Sequence, residues 1–162
     1  MRLLWALGAK RDIMQILVTA IDPTQQTRLG YTQLLSFMAK FEGAEFSGSA
    51  WFVPASGKAD GNVGQTLEVE LSQERVTQVT LEDAKDFEPR IQYLSEPGSY
   101  RVTGIVDFVT PLNDPIGACI VYISVGNANF TLATSELGGI KPVQGGRLSF
   151  TVHELSLWDE AI

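Results

Sequence analysis

Few residues in this chain have the types and spacing that chemistry requires. One histidine, His153, stands in GGRLSFTVHELSLWDE (residues 145–160), and one cysteine, Cys119, stands in GACIVYISV (residues 117–125). A zinc centre needs several Cys or His ligands, so one of each excludes it. A serine or cysteine hydrolase needs a nucleophile, a base and a group that orients the base. The sequence has neither a nucleophile elbow nor a reactive-cysteine signature. GKADGN (residues 57–62) lacks the alternating acids and terminal glutamate of a calcium loop. GKADGNVG lacks P-loop spacing, and no dinucleotide fingerprint lies between a strand and a helix. Carboxylates pair at Glu68/Glu70, Glu82/Asp83 and Asp159/Glu160. Glycosidase work needs two acids across a cleft, whereas neighbouring acids read as a solvated face. No catalytic residue, metal ligand or cofactor is therefore expected, and Cys119 reads as a buried, inert thiol.

Charge is more informative. The 162 residues carry a formal net charge of −7. Residues 1–40 hold five basic and two acidic groups, a net +3; residues 41–162 hold seven basic and seventeen acidic groups, a net −10. From Glu68 to Glu96, eight acids (Glu68, Glu70, Glu74, Glu82, Asp83, Asp86, Glu88, Glu96) face three bases (Arg75, Lys85, Arg90). Such a field repels phosphate backbones and steers cationic partners.

The elements that position these groups are mostly strands. MQILVTAI (14–21) is a short apolar run that Asp22-Pro23-Thr24 should stop. YTQLLSFMAKFEG (31–43) fits a helical stripe or a strand. Strand is favoured because aromatic EFSGSAWFVP follows as a hairpin partner. ASGKADGNVGQ reads as an exposed hairpin loop into TLEVELS, a half-buried strand with Glu68 and Glu70 outward. Thr80-Leu81-Glu82-Asp83 resembles a capping box, which predicts a short helix to about Phe87. YRVTGIVDFV is a strand that bends or bulges at Gly104. ACIVYISV and ANFTLAT form a hairpin across Gly126-Asn127, with Tyr122 and Phe130 expected in the core. The division anticipated is an N-terminal extension (1–13), a β-rich part with a short helical middle (14–97), and a β part (98–162), all in one or two units.

Strands joined by turns imply a mainly β, antiparallel barrel or sandwich with few short helices. The order strand, hairpin, connector, strand over 98–162 resembles a small OB-like barrel in outline, on strand order and length alone. The last strand carries a slip of phase. Leu148, Phe150 and Val152 share one face, then Leu155 and Leu157 take the opposite parity. A bulge of one extra residue at His153–Glu154, bending one long barrel strand, accounts for it.

An OB-like outline implies oligonucleotide or ligand binding. Residues Asp107 to Phe130 nevertheless contain no Lys or Arg, and phosphate contacts dominate such affinity, so nucleic acid is disfavoured. The chain is similar, in size and charge only, to small acidic proteins that shield the basic active site of a nuclease toxin. The expectation is a non-enzymatic acidic protein-binding module for a basic partner, of the immunity-inhibitor kind. Its contacts would be Glu68, Glu70, Glu82, Asp83, Asp86 and Glu88, with Trp51, Phe52 and Trp158. A structural subunit of a phage or secretion assembly is the third class. One cysteine fits a reducing compartment, so cytoplasmic residence is expected. No apolar run reaches the length of a membrane span, roughly 18 residues, and Leu3–Ala9 is too short and poorly flanked for a secretory signal.

Overall fold

In the first strand, Met14, Ile16 and Val18 are buried while Gln15 and Leu17 face solvent. That period of two gives a sheet one wet face and one core face. The computed structural model describes residues 13–29, 34–83, 87–113 and 117–161. The expected extension therefore lies outside the described residues, apart from its last position, as do Tyr31 and Asp86. Among the described residues eleven strands follow in chain order: β1 (Met14–Leu29), β2 (Leu34–Gly43), β3 (Ser47–Val53), β4 (Thr66–Ser72), β5 (Arg75–Glu82), β6 (Arg90–Tyr93), β7 (Tyr100–Pro111), β8 (Cys119–Val125), β9 (Ala128–Ala133), β10 (Arg147–His153) and β11 (Ser156–Asp159). Among the described residues the helical content is one 3-10 turn, Thr134–Glu136. The protein is mainly β, as its patterning implies.

The strands form two sheets. One closes into a barrel in the order β1-β2-β3-β11-β4, with β4 returning to β1. The other runs β5-β10-β7-β8-β9, and β6 adds to β7. All pairs are antiparallel except β11 with β3. The barrel thus draws four strands from residues 14–72 and its fifth from Ser156–Asp159. Of residues 98–162, the segment with the OB-like outline, β7, β8, β9 and β10 instead lie in the second sheet, and only β11 joins the barrel.

Four local expectations give way to pairing. Asp22-Pro23 does not end β1. The strand continues past it, and Pro23–Gln25 loop out between the pairs Asp22↔Met38 and Gln26↔Phe37. The Asp22 carboxylate holds the loop by accepting from Thr24 N–H (2.9 Å) and Thr24 Oγ1 (2.6 Å), which also keeps its carboxyl below the usual pKa. The glycine-rich loop after β3 is not a hairpin, because β11 lies between β3 and β4 and pairs with both. Thr80–Glu82 is strand, not helix: Thr80, Leu81 and Glu82 pair with Ser149, Leu148 and Arg147. The ladder outweighs a weak capping signal. Gly104 sits in regular register, and the bulge falls at Asp107 instead. Gly104 is needed for closeness, since a Cβ there would collide with Ile123 Cγ2.

The phase slip is not a bulge within one barrel strand; it marks the passage from one sheet to the other, between two separate strands. β10 ends at His153, Glu154 takes a left-handed conformation (φ 53°), and β11 begins at Ser156. Leu155 is held between the sheets, its N–H donating to Gly98 and its carbonyl accepting from Trp51. One hydrophobic cluster runs through both sheets, with Phe41, Phe52, Val69 and Leu157 from the barrel and Val102, Ile123, Phe130 and Phe150 from the second sheet.

Candidate partner-binding face

The parity of three adjacent barrel strands builds one outward face. On β4, Val69 and Leu71 point inward, which turns Glu68 and Glu70 out. On β11, Leu157 is fully buried, which turns Trp158 out. On β3, Ala50 and Phe52 fill the interior, which turns Trp51 out. Register then sets the neighbours. Trp158 stands opposite Glu70 on one side, and Ser156 stands opposite both Trp51 and Ser72. Two half-buried tryptophans and a carboxylate thus share one patch, with exposed Glu68 beside it.

Hydrogen bonds fix this patch. Trp158 Nε1 donates to Ser156 Oγ at 2.8 Å, and that hydroxyl donates to the Ser72 carbonyl at 3.4 Å. The indole is therefore anchored by its polar edge. Asp159 Oδ1 accepts from Ala161 N–H (3.1 Å), and Glu160 N–H donates to the Glu68 carbonyl (2.9 Å). The first bond closes the turn after β11, and the second ties it to β4.

The structure divides the predicted contact residues. Trp51, Trp158, Glu68 and Glu70 come together on the barrel. Phe52 has zero exposure and does not reach the surface. Glu82 ends β5 in the second sheet, opposite Arg147, and accepts from Thr80 Oγ1 at 2.9 Å. Asp83 and Glu88 are exposed near that end, and Asp86 lies outside the described residues. The acidic middle is therefore two groups, separated by the length of β5.

The chemistry-bearing residues are engaged in structure. His153 Nε2 lies 2.8 Å from Thr77 Oγ1 on the adjacent strand. Cys119 is half-buried rather than buried; its N–H donates to Thr134 Oγ1 at 2.6 Å. Among the described residues no group of three or more His, Cys, Asp or Glu is placed to hold a metal, and no helix is long and apolar enough to cross a membrane.

A surface cavity of about 460 Å³ opens between the start of β5 and the end of β9. Two of its polar side chains serve the fold. Gln73 Nε2 donates to the Thr131 carbonyl (2.8 Å), and Glu136 Oε1 accepts from Ala133 N–H (2.9 Å). Both cap backbone groups on the open edge of β9, a common protection against edge-to-edge pairing.

Sequence reasoning missed one surface feature. Phe130 is core, but Tyr122 faces out and stacks on Phe108, with centroids 4.2 Å apart and planes at 20°. Even parity along β7 predicts Phe108 inside; only the bulge at Asp107 turns it out.

No family model, curated protein or solved structure matches the chain.

Proposed function

We propose that this chain is a non-enzymatic, acidic protein-binding module of the cytoplasm, in the manner of an immunity-type inhibitor, and that its partner is a basic protein. The observation that carries this reading is Trp158 opposite Glu70, with Trp51 and Glu68 alongside. An anchored indole supplies contact area at small entropic cost, and tryptophan is enriched among residues that dominate binding energy. A carboxylate beside it selects lysine or arginine and speeds encounter. The net charge of −7 extends that attraction over the molecule.

A second reading is an OB-like ligand- or oligonucleotide-binding protein. It is favoured by the barrel's order β1-β2-β3-β11-β4 and its one parallel pair, β3 with β11. Charge opposes it for nucleic acids, since the patch presents carboxylates where phosphates would bind.

The test is capture of bound material from the native host on immobilised wild-type chain, on Trp158→Ala and on Glu70→Gln. Any captured protein is then purified and its binding kinetics measured. The reading expects a basic protein whose binding falls at least tenfold with Trp158→Ala. Retention of nucleic acid, or a partner indifferent to both substitutions, would overturn it.

A further inference from the structure

The Phe108–Tyr122 stack sets a problem of physical origin. Phe108 is 42% exposed, on a strand whose parity would have buried it. Val106 pairs with Ile123 and Phe108 with Tyr122, so Asp107 is the extra residue of a bulge. The bulge breaks the ladder and moves a phenyl ring from core to solvent. Bulges commonly re-aim side chains at functional surfaces. The same extra residue sends its carboxylate to the neighbouring strand, where Asp107 Oδ1 accepts from Ser124 Oγ at 2.9 Å, two residues along β8 from Tyr122.

From these positions we infer that Phe108, Tyr122 and Asp107 form a seat for a cationic side chain, arginine above all, supplied by a basic protein. A guanidinium stacks on an aromatic face and pairs with a carboxylate at its edge. The inference rests on the proposed reading of a basic partner and adds a second contact on the other sheet. Charge selects this occupant. From Asp107 to Phe130 the sequence has no Lys or Arg, so neither the end of β7 nor β8 brings a cation of its own to the rings. Arg147, opposite Ile105 on the adjacent strand, donates instead to the Phe87 carbonyl at 3.1 Å. A second copy of the chain docked symmetrically would set carboxylate against carboxylate. Nucleic acid would set phosphate against it.

The test uses the full chain, isotope-labelled, in nuclear magnetic resonance titrations. The probes are a capped hexapeptide of alternating glycine and arginine, its citrulline counterpart, hexathymidylate and maltohexaose. The arginine peptide should shift the Phe108, Tyr122 and Ser124 signals. Citrulline, which keeps the shape and removes the charge, should bind at least about fivefold more weakly. Phe108→Ala should weaken arginine-peptide binding about two- to fivefold, the range of an exposed cation–π contact. Asp107→Asn, which keeps the stack, should weaken it by a similar factor. Equal binding of citrulline, the same shifts from maltohexaose or hexathymidylate, or indifference to both substitutions would overturn the seat. Shifts confined to the Trp51 and Trp158 indoles would overturn the seat and leave the barrel-face reading standing. Shifts at Tyr122 and Ser124 that both substitutions weaken by these factors would support the seat even if the indoles stayed silent.

Discussion

The Tyr100 hydroxyl donates to the Ser49 carbonyl at 2.9 Å and joins the barrel to the second sheet. The same carbonyl accepts from Gly98 N–H at 2.8 Å, so β3, the turn before β7 and β7 itself meet at one oxygen. Phe46 and Tyr93 flank the Tyr100 ring, each with a centroid 5.2 Å away. Gly48 leaves room for the phenol, because a Cβ there would collide with Tyr100 Oη.

Burial, and then the nearby Tyr93 phenol, raise the Tyr100 pKa above its ordinary value. The unfolded chain releases this proton near pH 10 and the folded chain keeps it. The sign follows: the contribution is whole below about pH 10 and is lost as pH rises beyond it, at about 1.4 kcal/mol per pH unit. Urea denaturation between pH 8 and pH 12 should show wild-type stability falling above pH 10. Tyr100→Phe should cost about 1 kcal/mol at neutral pH, because Ser49 keeps its Gly98 bond, and should flatten the alkaline fall. Equal alkaline slopes in the two proteins would refute this account.

Glu154 is exposed and takes φ 53° where the chain crosses between sheets. That conformation costs an ordinary residue about 1 kcal/mol, and asparagine tolerates it better. Glu154→Asn should therefore raise stability by about 0.5 kcal/mol. In a urea titration the midpoint should rise and the slope stay constant. Glu154→Pro, locked near −65°, should lose the connection and unfold the barrel. A midpoint that falls for Asn would mean the Glu154 side chain has a role of its own.

Much of this fold was legible because alternation is a local signal. Leu67, Val69 and Leu71 reported the inner face of β4. The parity change at Leu155 and Leu157 located a break at Glu154, but it read as a bulge inside one strand and not as a crossing between sheets. Pairing between distant strands leaves no such mark. Nothing in LSLW says that Ser156–Asp159 inserts between β3 and β4, so the loop after β3 read as a hairpin and Trp158 could not be set against Glu70. The bulge at Asp107 was hidden for a related reason. One extra residue is defined only against Ile123 and Tyr122 on the partner strand, and without that partner Phe108 counts as core. Phe52 erred the other way: an aromatic beside Trp51 looked like surface until barrel closure gave β3 an inside.

His153 tests the absence of catalysis. Its bond to Thr77 Oγ1 lies on the outer side of the β5–β10 pair. His153→Ala should cost about 1 kcal/mol, the value of one such bond, and leave partner binding unchanged. Loss of function with fold and stability intact would end the non-enzymatic reading.

The acids at the end of β5 and the Trp158 ring of the barrel face should act on different rate constants. Asp83 and Glu88 are exposed near the end of β5, where Glu82 is half-buried. Charges at a rim steer encounter, over a range that salt shortens to about 8 Å at physiological ionic strength. Neutralising Glu82, Asp83, Asp86 and Glu88 together should slow association more than it speeds dissociation, and should remove much of the salt dependence. Stability should hardly change, because exposed charges contribute little to it. Trp158→Ala removes an anchored ring from the barrel face and should act mainly on dissociation. Kinetic binding assays at low and high salt separate the two effects. An association rate indifferent to salt and to the four substitutions would make the end of β5 a solvated surface, and would leave recognition to Trp51, Trp158 and Glu70.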